Sequence, residues 1–211
     1  MTGPTSASAA QDVNPAAVVD GRRARRERGR QAVVEATIDL VLEGVSPPSV
    51  EQVAARAGVS PASVFRYFET LDELRDETTR RYFERFAHLL EVPDIGVGSL
   101  EARIKRYVDI RHELHATTEP MARLVRRRAP RVSALDDTLH RFRAMRADEI
   151  RQHFAIELAR LSSARQDELV ATIGTLTSFE SWVQLREDHA RSAVQIRRGW
   201  ASALWRLLIE P

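Results

Sequence analysis

Between Gly21 and Arg30 the sequence GRRARRERGR sets Arg22, Arg23, Arg25, Arg26, Arg28 and Arg30 against a single acid, Glu27. Cationic side chains at this local density are the electrostatic footprint of a phosphate partner. A solvated basic tail would show the same composition. Further along, Ala62, Ser63, Arg66 and Tyr67 share the exposed face of a short expected helix, with Phe65 beside them. Side chains of this kind meet phosphates and the edges of bases. The other patterns that could carry chemistry are weak. His112 and His115 stand three apart in HELH, which can place both on one face but offers no third ligand and is not the HExxH zinc pattern. The chain has no cysteine, and it shows no phosphate loop, dinucleotide fingerprint or G-x-S-x-G elbow. The reading is therefore not an enzyme, with no cofactor and no metal site.

These residues need elements to hold them. Residues 1–20 are rich in small and polar types and read as a disordered tail, because they bury too little to offset the entropy of ordering. An amphipathic helix is expected from Ala32 through Val33, Ala36, Ile38, Leu40 and Val41, stopped by Gly44 and Pro47-Pro48. Arginines in its first turn oppose the helix dipole, which suggests that they serve something outside the fold. Ser49 and Gln52 form an S-x-x-Q capping box for the next helix, and Gly58 can end it in the left-handed conformation. Ser60 caps a following helix that has Pro61 at its first position. Thr70 with Glu73 opens a fourth.

Ala54, Gly58 and Val64 are spaced as in a helix-turn-helix: a small residue for close approach, a glycine for the turn and an apolar lock. The N-terminal end of the second helix, Ser60 to Ser63, would then enter a major groove, with Arg66 and Tyr67 toward the backbone and the amides at Ser49 open to phosphate. Beyond the loop marked by Pro93, Gly96 and Gly98, helices are expected over 100–117, 120–128, 132–161, 164–187 and 193–209. The fold class is all-α. The domain reading is a tail over 1–20, a helix-turn-helix domain with a basic arm over 21–80, and a larger helical domain over 81–211.

In bulk, 211 residues with 43% apolar content and a net charge of +2 describe a soluble globular protein whose basicity is local, not global. No apolar run approaches the roughly 20 residues of a membrane helix, and no signal peptide pattern opens the chain. The expected location is cytoplasmic, without membrane contact.

The stretch EGVSPPSVEQVAARAGVSPASVFRYF, with the DEL that follows it, resembles the DNA-binding domain of the tetracycline-repressor (TetR) family. The likeness covers roughly residues 28 to 76 and rests on the AGVS turn, the RYF ending and the next helix start occurring together. Two positions depart from the family pattern: Phe65 stands where Tyr is usual and Leu71 where Lys is common, which removes two backbone contacts. The resemblance implies double-stranded DNA as partner, read through Arg22, Arg23, Arg25, Arg26, Ser49, Ser60, Pro61, Ala62, Ser63, Phe65, Arg66 and Tyr67. It also implies a homodimer through the last two helices, with Trp182 and Trp205 available as interface anchors. A small effector, apolar or aromatic, would enter among the middle helices. Tyr107, Ile110, Leu114, Met121, Phe142, Met145, Ile173, Thr177 and Trp182 are the candidate lining, each equally explicable as core. The function implied is a repressor released from a palindromic operator by that effector. The alternative is an effector-independent DNA-organising or purely structural helical protein.

Overall fold

A computed structural model describes residues 15–209, with the side chains of 15–20 and of Arg22 outside the described set. Among these residues there are eleven α-helices and no strand. They are α1 (Pro15–Leu42), α2 (Val50–Ala57), α3 (Pro61–Tyr67), α4 (Leu71–Arg85), α5 (Ala87–Leu90), α6 (Leu100–Arg128), α7 (Ser133–His153), α8 (Ala155–Leu158), α9 (Ser163–Leu176), α10 (Phe179–Glu187) and α11 (Ala193–Ile209). The chain divides into two units. One runs to Leu40 and resumes over Pro48–Arg81; the other takes Val41–Pro47 and the chain from Tyr82 onward. No helix among the described residues is long and apolar enough to cross a membrane.

Helix α1 begins at Pro15, well before the expected start at Ala32. The tail expected over 1–20 thus falls outside the described residues as far as 14 and is helical from 15. The arginines stand in the body of a helix and not in its first turn, so the dipole conflict read from sequence does not arise. Ala and Arg are good helix formers, and their propensity carries the helix through this polar stretch. Val33, Val34, Ala36, Ile38 and Leu40 at the other end of α1 are buried, as are Val53, Ala54, Val64, Phe68 and Leu74 of the same unit.

In the second unit α11 packs along α6, and α7 packs against α9. Tyr107, Ile150, Phe154, Ile173, Trp182, Trp200 and Leu204 centre its core. Three expected boundaries differ here. Helix α6 runs unbroken through Pro120. The carbonyl that loses its donor is that of Ala116, which is exposed, so water can take the bond. The helix expected over 132–161 breaks at Phe154, a fully buried ring with φ −113° and ψ 27°. The helix expected over 164–187 breaks at Thr177, whose side chain and carbonyl are taken by partners described below, and Ser178 caps a new start by accepting from the Ser181 amide at 3.1 Å.

Candidate nucleic-acid interface and effector cavity

The reading surface is built by caps. Ser49 accepts from the Gln52 amide at 3.3 Å while Gln52 accepts from the Ser49 amide at 2.8 Å, closing the capping box of α2. Gly58 ends that helix at φ 67°, ψ 31°, a left-handed conformation that suits glycine, and its amide reaches back to α2. Ser60 then caps α3 by accepting from the Ser63 amide at 3.2 Å. Val64 is buried, which turns Ala62, Phe65 and Arg66 outward.

A polar row follows along that outward face. The Ser60 and Ser63 hydroxyls lie 3.0 Å apart, and Arg66 Nη2 donates to Ser63 Oγ at 3.0 Å. The Arg66 guanidinium also lies 5.5 Å from the Tyr67 ring centre. These contacts limit the rotamers of a long cation before it meets a partner, which lowers the entropy lost on binding. Phe65 is 55% exposed, with its ring presented to solvent.

The arginines of α1 separate into two groups. Arg23, Arg25 and Arg28 are exposed. Arg26 and Arg30, one turn apart, face α3: Arg26 Nη2 donates to the Arg66 carbonyl at 3.4 Å and Arg30 Nη1 to the Tyr67 carbonyl at 3.2 Å. Arg30 also pairs with Glu73 at 2.9 Å and with Glu77, and its guanidinium stacks 4.5 Å above the Phe68 ring. Hydrogen bonding to Glu77 raises the already high Arg30 pKa further. Arg30 is therefore part of the fold. Arg22, a candidate from sequence, has its side chain outside the described residues.

Gly29 and Glu73 were not legible as site residues. A Cβ on Gly29 would lie 2.4 Å from the Tyr67 hydroxyl oxygen, so this glycine makes the space in which the Tyr67 ring rests. Glu73 accepts from the Glu69 amide at 2.8 Å while its own amide donates to Thr70 Oγ1 at 3.0 Å. The expected Thr70–Glu73 box thus closes one residue earlier than the standard pattern. The Glu69 amide, then the Arg30 guanidinium, hold the Glu73 carboxyl below its usual range.

The second unit holds a cleft of about 480 Å³ among α6, α7, α9 and α10, within the usual range for small-molecule sites. A cavity of about 130 Å³ shares His115, Arg126, Leu139, Phe142, Arg146 and Phe179 with it and extends toward Tyr82 and Phe86. Of the residues named from sequence, Phe142 lines both, Thr177 lines the larger, and Leu114 and Met121 line the smaller. Tyr107, Ile173 and Trp182 belong to the core, with Ile110 packed against it. Met145 is 54% exposed on a separate surface groove. Helical periodicity places a residue on a face without saying whether a neighbour closes over that face, and here neighbours close over Tyr107, Ile173 and Trp182 but not over Met145.

Thr177 explains the shape of the larger cleft. With α9 ended, its carbonyl accepts from His115 Nε2 at 2.9 Å, and its hydroxyl donates to the Ile173 carbonyl at 2.8 Å and lies 3.2 Å from the Tyr107 hydroxyl. Burial lowers the His115 pKa to about 4, so the ring is neutral at pH 7 and its N–H points at Thr177. Burial pushes the Tyr107 phenol up to about 12, against the opposing pull of the Arg146 charge. No group of three or more His, Cys, Asp or Glu that could hold a metal ion occurs among the described residues.

Residues 34–78 match the family model of bacterial regulatory proteins, tetR family. Among solved structures, the chain is similar to SCO7518 from Streptomyces coelicolor A3(2), assigned as a transcriptional regulator. The identity is 22%, the TM-score is 0.59, and the match covers 86% of this chain and 99% of that one. It is also similar to the multidrug binding protein EbrR, crystallised with imidazole, at 20% identity and a TM-score of 0.56, covering 86% of this chain and 96% of that one. No curated protein matches the chain.

Proposed function

We propose that this chain, which belongs to the tetR family of bacterial regulatory proteins, is a homodimeric repressor that leaves its operator when a small molecule fills the cleft of its second unit. The observation that carries the reading is the row Ser60–Ser63–Arg66 on the exposed face of α3, flanked by the exposed Arg23, Arg25 and Arg28 of α1. Such a surface offers positioned donors and cations to a duplex: the N-terminal end of α3 suits the major groove, and the α1 arginines suit phosphates.

A second copy would supply the second recognition helix about 34–36 Å away, as successive grooves require. The most suitable surface for it is on α11. Leu169, Ile173, Trp182, Trp200, Leu204 and Leu208 are buried in the unit's own core. What stays outward is a second face of the same helix, Val194, Arg198, Ser202, Trp205 and Ile209, with Trp205 43% exposed. EbrR is named for binding drugs and carries imidazole; by analogy the 480 Å³ cleft here is the effector site. Effector binding would favour a spacing of the two readers that no longer matches the grooves.

The test is a mobility-shift titration of the full chain against the DNA upstream of its own gene and against random DNA of equal length. The reading requires tighter binding to the upstream fragment, and equal affinity for both sinks it. Arg66→Ala is expected to weaken binding by about 1–3 kcal/mol if it reads a base. If it holds a phosphate, the loss is uniform across sequences and the salt slope falls by about one.

A further inference from the structure

The cleft of the second unit is not electrically neutral. Its lining carries Arg126, Arg143 and Arg146, with Glu180 as its one carboxylate among the described residues. Arg126 is already matched: Nε donates to Glu180 at 2.8 Å, and its guanidinium lies 4.3 Å from the Phe179 ring centre. Arg143, exposed at the rim, adds a second positive field on Glu180.

Arg146 is matched only in part. The Tyr107 hydroxyl is in hydrogen-bond contact with its side chain, and its nearest acid is Glu149, whose Oε2 lies 3.7 Å from Nη1; neither of these two buried atoms has a hydrogen-bond partner among the described residues. Glu149 is shared. Arg111, fully buried, approaches it at 3.5 Å, and the Val92 amide donates to the same oxygen at 2.6 Å. Two guanidinium groups thus draw on one carboxylate, and Arg111 keeps two further nitrogens, Nε and Nη1, without partners. Glu91, exposed, is the other acid in the field of Glu149. His115 on the opposite wall contributes no charge, since its ring is neutral at pH 7. The wall between these cations is apolar and aromatic, with Leu139, Phe142, Ile150 and Phe179.

Unpaired guanidinium nitrogens at low exposure are costly to leave unmade and are best matched by a planar oxyanion. An uncharged apolar molecule would leave them as they are, and a cation would add repulsion. From the surplus of Arg143 and Arg146 over acids at one end of an aromatic cleft, we infer that the effector is an amphipathic carboxylic acid in its anionic form. Its carboxylate sits at Arg146 and Arg143 and its apolar body lies against Phe142 and Phe179. This rests on the cleft being the effector site. It narrows the expectation of an apolar or aromatic molecule to an acid with such a body.

The test is calorimetric titration of the full chain with phenylacetate, 2-naphthoate and decanoate, each beside its primary amide and its primary amine. At least one carboxylate is expected to bind about tenfold or more tightly than its amide and amine, a difference of about 1.4 kcal/mol. Arg146→Gln and Arg143→Gln should each erase most of that preference while leaving amide binding unchanged. Arg143 is exposed, so its variant keeps the test open if Arg146→Gln does not fold. Amides or amines that match the acids overturn the anionic effector and leave the effector cleft standing. A preference for acids that survives both variants also overturns it, by moving the anion elsewhere. Binding by none of the nine compounds overturns both the acid and the cleft.

Discussion

Arg30 in the first unit and Arg103 in the second each hold carboxylates in a geometry of several bonds, and their surroundings differ sharply. Arg30 is 23% exposed, between Glu73 at 36% and Glu77 at 18%. Arg103 is 2% exposed and Glu157 7%. Arg103 donates to both Glu157 oxygens, at 2.8 and 2.6 Å, and to the His153 carbonyl at 2.8 Å. Burial pushes the Glu157 carboxyl upward, yet the Arg103 fork, a backbone hydrogen bond and the Arg160 charge together hold the group below its usual range. Arg30 keeps contact with water, which screens its pairs, while Arg103 is hidden and must be matched or leave a charge uncompensated. The exposed arginines of α1 and the half-buried Arg146 of α7 fall on either side of this contrast.

The largest effect is expected from Arg103→Ala, which strands Glu157 in the interior and should cost about 3–5 kcal/mol in denaturant unfolding; a loss below 1 kcal/mol would place the pair with surface ion pairs. Next comes pH. The folded His115 pKa of about 4 lies below its ordinary 6.5, so the unfolded chain binds the extra proton. Stability from this group is whole above about 6.5 and falls as pH drops toward 4, by about 3 kcal/mol in all. His112 and His153, also lowered by burial, act in the same direction. His115→Gln keeps a donor for Thr177 and should reduce the pH slope in that window; an unchanged slope would refute the assignment.

In the first unit the effects are smaller. Arg30→Ala is expected to cost about 1–3 kcal/mol through its charged hydrogen bonds and to loosen α3, as measured by unfolding and by amide exchange at Tyr67. Gly29→Ala gains helix propensity of about 0.5–1 kcal/mol but evicts the Tyr67 ring. Its effect and that of Tyr67→Ala should therefore be non-additive in a double-mutant cycle, and simple additivity would show that the two do not touch. The smallest effect is Arg75→Ala at the exposed Asp72 pair, 2.7 Å apart, expected to change stability by no more than about 0.5 kcal/mol.

Local chemistry was legible wherever a residue acts on its own neighbourhood. The capping box at Ser49 stands as spacing implied. So do the left-handed Gly58 and the buried Val64. Failures came where a distant element decided the outcome. Thr177 ends a helix because His115 and Tyr107, more than sixty positions away, take its carbonyl and hydroxyl. Trp182 reads as an interface or pocket residue, but Phe179, His112 and His115 enclose it.

By itself, then, the sequence determined the all-α class, the helix-turn-helix and its exposed row, because caps, turns and periodicity act over a few residues. Only the tertiary structure decided which arginines serve the fold and which face outward, and where the apolar stripes close. It alone decided that Arg146 stands over a cleft with half a partner. Those outcomes depend on which helix covers which face, and on how many carboxylates reach each cation.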